Sequence, residues 1–184
     1  MSKKVVIISA SPRKGGNSDT LCEEFRRGCE EAGNQVVKIS LRDKQINFCK
    51  ACYYCKKAGE CIQQDDVPAI LQQMTEADVI VLATPVYFYT MNGQLKTLID
   101  RCLACGAKLT DKEFYFIATA AAGKEQMERT MDGLPGAKIS GLIYGAARGS
   151  WEKSRETPPC SRHIRWEKQS IKFRFGIQER SRRP

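Results

Sequence analysis

The feature that most constrains this chain is the run Val5-Val6-Ile7-Ile8 within residues 3–10, which ends in the turn-forming segment SPRKGGNS. Four consecutive β-branched residues with no polar alternation predict a strand buried on both faces, the kind found in parallel sheets covered by helices on each side. The same unit then repeats. Leu21, Cys22, Phe25, Cys29 and Ala32 recur with a helical period over 18–32, and Gly33-Asn34 supplies a C-terminal stop. A second strand is predicted at 36–39 and a helix at 67–77, with Pro68 in its first turn and Asp66 as N-cap. Strands at 79–83, 114–118 and 139–144 and helices at 92–103 and 124–131 complete the series.

Regular β-α alternation predicts an α/β fold with a doubly wound, five-stranded parallel sheet, because parallel neighbours need right-handed crossovers. Ligands of such sheets sit at the carboxyl ends of the strands, near the switch in strand order. That directs attention to residues 9–20, 84–93 and 119–124.

A chain of 184 residues has the size of one domain. No apolar run reaches the roughly eighteen residues of a membrane span, and the first residues lack a secretory pattern, so a cytoplasmic location is expected. The net charge of +9 is unevenly spread. Residues 148–184 hold 11 Lys and Arg against 4 Asp and Glu, whereas residues 1–147 are nearly balanced at 19 against 17. The basicity therefore belongs to a tail and not to the main domain, 1–147, which argues against a nucleic-acid-binding domain.

The segment SASPRKGGNSDT lies between a buried strand and a helix start. Backbone amides of such a loop and of the first helical turn favour an anion, and Gly15 and Gly16 let the backbone approach it. Ser9, Ser11, Asn17, Ser18 and Thr20 offer polar side chains, and Arg13 a positive charge. There is neither GxxxxGK[ST] nor GxGxxG, so a monophosphate suits the loop better than a triphosphate or a dinucleotide. The alternative is a simple connection in which Asn17 or Ser18 caps the helix.

With ISASPRKGGNSDTL at 8–21, CKACYYCKKAGECIQQDD at 49–66 and ATPVYFYTMNGQLKTLIDR at 83–101, the sequence resembles the NADPH-dependent FMN reductase and iron-sulfur flavoprotein families, over roughly residues 1–145. The resemblance implies a flavodoxin-like fold, FMN bound by its phosphate on the first loop, and NAD(P)H as electron donor. It further implies that Pro85, Val86, Tyr87, Phe88 and Asn92 line the flavin, and that the loop after the fourth strand, at Thr119, contacts it. A string of aromatics at a strand end suits a flat ring, although the same residues suit a core or a subunit interface. A homodimer or homotetramer is the family expectation.

Cys49, Cys52, Cys55 and Cys61 stand as C-x2-C-x2-C-x5-C. The resemblance implies a [4Fe-4S] cluster on these four; a structural zinc and a set of free thiols are the other readings. Cys102 and Cys105 read as two packed thiols on a helix. The only histidine, His163, lies in the tail and has no assigned role.

Residues 148–184 show no sustained helical period where the family's fold would close with an amphipathic helix. They read as an atypical tail, disordered or out of frame. The function expected from all of this is an FMN oxidoreductase passing electrons from NAD(P)H to a small-molecule or ferredoxin-like acceptor, with no side-chain acid, base or nucleophile required. The alternative is an electron carrier with the cluster on the cysteine loop.

Overall fold

Val5 to Ile8 form the centre of β1 (Lys4–Ser9), and the alternation of their side chains explains the fold around them. The computed structural model describes residues 2–121, 130 and 138–146. Along β1, Val5 and Ile7 point to one face of the sheet and pack with Leu21, Cys22, Phe25 and Cys29 of α1 (Asn17–Glu31). Val6 and Ile8 point to the other, against Ile70 and Met74 of α3 (Val67–Glu76) and Leu95 and Leu98 of α4 (Gly93–Arg101). Each face thus supplies its own apolar core, which a strand with no polar alternation requires.

The strands β2 (Gln35–Ser40), β1, β3 (Val79–Tyr87), β5 (Glu113–Ala120) and β6 (Lys138–Ala146) pair in parallel in the order β2-β1-β3-β5-β6. From β1 the chain first moves outward to β2 by way of α1. It then returns past β1 to β3, so the crevice between the carboxyl ends of β1 and β3 is the switch point of the sheet. A two-residue strand, β4 (Thr90–Met91), folds back on β3 as an antiparallel hairpin.

Several boundaries differ from the sequence expectation, each for a local reason. The third strand runs on to Tyr87 because residues 84–87 pair with β5 and β4, so the predicted aromatic loop is a hairpin. Thr119 likewise belongs to β5 and not to the loop after it. Residue 16, not Asn17 or Ser18, is the N-cap of α1. Asp66 occupies the N-cap of α3 without making a side-chain cap bond; the neighbouring Asp65 carboxylate accepts the Val67 N–H instead, at 3.0 Å. The cysteine segment, read as loop, contains a short helix, α2 (Tyr54–Ala58). The helix expected at 124–131, apart from Thr130, and the tail 148–184 with His163 lie outside the described residues.

Between β5 and β6 the register shifts after Phe114, so that Tyr115 pairs with Gly141. The Tyr115 ring packs on Phe25 of α1, centroids 5.5 Å apart, and lies where a side chain at 141 would be: a Cβ there would stand 2.7 Å from the ring. Gly141 is therefore a close-approach glycine that lets an aromatic cover the sheet. Gly141→Ala is expected to lower stability by about 1–3 kcal/mol through overpacking, measured by urea denaturation.

Candidate functional site

The turn after β1 is held by its own atoms. Ala10 N–H bonds Ala83 O across to β3 at 2.8 Å, Gly16 N–H bonds Arg13 O at 3.2 Å, and the Ser11 hydroxyl donates to the same carbonyl at 2.8 Å. Gly15 takes a left-handed conformation, φ 66°, and a Cβ on Gly16 would come within 3.1 Å of Ser11 Oγ and 3.2 Å of Arg13 O. Both glycines are thus required by the turn itself. The loop delivers the chain to α1, whose start carries no side-chain cap bond. The start of α4 is different: Asn92 Oδ1 accepts the Leu95 N–H at 3.1 Å. Of two helix N-termini at the same sheet edge, one is sealed by a side chain and the other leaves its first amides for an incoming anion.

The sequence-derived residues divide into three groups. Arg13 is exposed, and Asn17 and Thr20 are partly exposed at the start of α1. Ser9, Ser11, Ser18 and Thr119 are buried and engaged: Ser9 with Asp19 at 3.2 Å, Ser11 with Arg13 O, and Ser18 with Thr119 through a shared hydrogen bond of 2.6 Å. Their hydroxyls shape the loop and tie it to β5. Pro85 and Val86 are half-buried at the end of β3, while Tyr87 and Phe88 are exposed.

Asn92 is buried and is the joint of the site. Its Nδ2 donates to Ala10 O at 2.5 Å, and its own N–H donates to Thr84 Oγ1 at 3.0 Å. One residue therefore connects the loop after β1, the end of β3 and the start of α4. Thr84, bonded into this network, and Asp19, bonded to Ser9 and to the Gly15 N–H of the same loop, are positions that motif reading passed over.

The hairpin tip is strained. Phe88 and Tyr89 are the two central residues between the paired Tyr87 and Thr90, with φ 46° and 69°. Two-residue hairpins favour this left-handed pair of conformations, but usually with Asn and Gly. Aromatics held there at the carboxyl edge of the sheet give up local stability for exposed flat surface. Phe88→Asn/Tyr89→Gly should raise stability by about 1–3 kcal/mol, read from the denaturation midpoint, while removing the aromatic edge of the crevice.

The cysteine loop is fastened at both ends by one buried ion pair. Arg101 Nη1 and Nη2 reach Asp65 Oδ2 and Oδ1 at 2.8 and 3.2 Å, and Nη1 also donates to Asn47 O at 2.8 Å. Asp65 accepts the N–H of Asn47 at 2.9 Å and that of Val67 at 3.0 Å. Both side chains are essentially inaccessible, at 1% and 0%. Between these anchors Cys49 and Cys52 are exposed, and Cys55 and Cys61 partly so, all as free thiols. Among the described residues no group of three Cys, His, Asp or Glu side chains is placed to hold a metal ion, so the four are not gathered here. Cys102 and Cys105 follow the end of α4, where the Cys102 thiol donates to Leu98 O at 3.4 Å and Cys105 is buried.

Burial would raise the Asp65 carboxyl, but the Arg101 guanidinium and two backbone amides outweigh it and hold the group below the ordinary carboxylate value. A depressed value means that this stabilisation is complete above about pH 3.9 and is lost as pH falls through the lower, folded value. Acid should therefore loosen the cysteine loop. Arg101→Met, which leaves Asp65 buried and unpaired, should cost about 3–5 kcal/mol at neutral pH and less in acid, checked by denaturation at several pH values.

An open parallel sheet with an uncapped helix start and a protruding aromatic hairpin at its switch point defines a flavodoxin-like protein. The family described as NADPH-dependent FMN reductase matches residues 3–139, and the chain belongs to it. Among curated relatives, an iron-sulfur flavoprotein of Archaeoglobus fulgidus is 36% identical over 67% of this chain and 57% of its own length. One of Methanocaldococcus jannaschii is 42% identical over 70% of this chain and 67% of its own length. The chain thus spans little more than half of the first of these relatives. Among solved structures, an NAD(P)H:quinone oxidoreductase from Methanothermobacter marburgensis superposes with a TM-score of 0.64 at 20% identity, over 85% of this chain and 91% of that one. An FMN-dependent NADH-azoreductase of Bacillus anthracis in complex with FMN superposes at 0.57 and 14% identity, over 77% and 86%. At such identities the likeness is one of fold.

Proposed function

We propose that this protein is an FMN-dependent oxidoreductase that takes electrons from NAD(P)H and passes them through bound FMN to a small-molecule or protein acceptor. The observation that carries this reading is the uncapped start of α1, joined through Ala10 and Asn92 to an aromatic hairpin on the same edge of the sheet. An anion-binding helix end and a flat apolar surface at one switch point are what a phosphate on one end and a ring on the other require.

The residues fit FMN. The glycine turn, its own two amides bonded to Asp19 and Arg13 O, presents the first amides of α1 to the phosphate, with Arg13 and Lys14 exposed beside it to balance its charge. Pro85, Val86, Tyr87 and Phe88 flank the ring, and Asn92 fixes their distance from the phosphate loop. When bound, FMN supplies the capacity to accept a hydride and release electrons singly or in pairs. The protein's part is to bind, orient and leave one ring face open, which the exposure of Phe88 and Tyr89 favours.

A second reading, an electron carrier with a [4Fe-4S] cluster on Cys49, Cys52, Cys55 and Cys61, draws on the names of the relatives and on four free thiols on one clamped loop. The sulfurs are not gathered as a ligand set, so no electron path is routed through them. Exposed Phe48, Tyr53, Ile62, Tyr87, Phe88 and Tyr89 favour assembly into a homodimer or homotetramer. No described helix is long and apolar enough to cross a membrane, which accords with work in the cytoplasm.

Protein purified without oxygen should show a flavin spectrum, with NAD(P)H bleaching it. Gly16→Val should weaken FMN by at least about tenfold, or about 1.4 kcal/mol, because the added atoms displace Ser11 and the Arg13 carbonyl. Absence of flavin binding after reconstitution would overturn the proposal. Iron and sulfide in equal amounts, about four each per chain, would establish the second reading, and flavin without iron would remove it.

A further inference from the structure

The first turn of α1 contains a carboxylate, which is out of place where a phosphate is to bind. Asp19 Oδ2 accepts the Gly15 N–H at 2.9 Å and Oδ1 accepts the Ser9 hydroxyl at 3.2 Å, so this acid holds the phosphate turn against the end of β1. An anion in that turn opposes a second anion at the same helix end unless its charge is balanced. The balance comes from β2. Lys38 Nζ lies 2.5 Å from Asp19 Oδ1 and 2.7 Å from Glu23 Oε1, and its side chain is 15% exposed.

Strand and helix periods produce this meeting. Val36 and Lys38 share the face of β2 that covers α1, and Asp19 and Glu23, one helical turn apart, face back toward it. Arg26 pairs with Glu23 at 2.9 Å and with Glu30 at 3.8 Å, so the group contains three acids and two bases. The remaining titratable neighbour, Cys22, contributes no charge, since burial pushes its thiol up to about 12. Both amine protons that Lys38 commits go to carboxylates, and none of its described bonds is directed to the loop.

We propose that Lys38 is a positioning residue for the phosphate of FMN: it neutralises Asp19, so that this carboxylate can order the Gly15 amide without repelling the ligand. The inference rests on the FMN reading. It assigns to a residue on a different strand, without contact to the ligand, control over affinity for the phosphate end alone.

The test compares FMN with riboflavin, which has the ring and ribityl chain but no phosphate, by flavin fluorescence titration of the whole chain. Lys38→Met should weaken FMN by about tenfold or more while changing riboflavin by less than about twofold. Lys38→Arg, which keeps the charge, should stay close to the parent protein. Lys38→Met/Asp19→Asn, which removes both charges, should recover FMN affinity to within about threefold. An unchanged FMN affinity in Lys38→Met, or equal losses for both flavins, would show a merely structural ion group and overturn the proposal. If Lys38→Met does not fold, the double variant decides: FMN weakened tenfold with riboflavin unchanged would overturn the role assigned through Asp19. Failure of the parent protein to bind either flavin would instead remove the FMN reading on which the inference stands.

Discussion

Burial of the parallel strands on both faces governs everything else in this molecule. With Val5 and Ile7 committed to α1, and Val6 and Ile8 to α3 and α4, the middle of the sheet has no place for polar chemistry. Polar groups are displaced to the strand ends, where backbone amides and carbonyls leave the ladder. The carboxyl ends of β1 and β3 lie side by side because the chain reverses its direction of winding at β1. The uncapped start of α1 and the aromatic hairpin are therefore neighbours as a result of topology.

Two ion pairs, one part-buried and one fully buried, then attach the loops to this scaffold. Asp19 with Lys38 fixes the glycine turn, and Asp65 with Arg101 fixes both ends of the cysteine loop. In each case a carboxylate also accepts backbone amides, so the desolvation of the charges is offset by hydrogen bonds as well as by the partner. Such pairs do little for net stability compared with apolar residues of the same size. Their contribution here is conformational: each makes one loop geometry the one in which the carboxylate meets both its basic partner and its backbone amides. Since Asn92 caps α4 and Arg101 ends it, a single helix links the glycine turn, the hairpin and the cysteine loop.

Flatness at the hairpin and openness at α1 are costly features, and their presence at one edge is informative. A left-handed Phe-Tyr turn and a helix start without a cap are both local disadvantages, at positions where Asn-Gly and Ser or Asp would remove them. Both become reasonable where a ligand with an aromatic ring and a charged end completes the structure. The family to which the chain belongs fits that account.

Much of this was legible in the sequence, because the signals are local. Unalternated β-branched runs, helical periods and glycine turns act within a few residues, so the parallel α/β sheet, the glycine turn after β1 and the aromatic segment could be placed from residue order alone. Strand ends were less legible: the extension of β3 through Tyr87 depends on pairing with β4 and β5, which residue order does not display. Ser9, Ser11 and Ser18 were legible as polar residues of the loop, but not the partners their hydroxyls take in the fold, Asp19, Arg13 O and Thr119. Asp19, Lys38, Asp65 and Arg101 drew no notice, since a charge on a helix or strand ordinarily faces water and only its partner, 19 or 36 residues away, shows otherwise. The sequence by itself determined which elements form and in what order. Only the tertiary structure decided which polar groups are consumed in holding the loops and which remain for a ligand, because that division depends on contacts between segments distant along the chain.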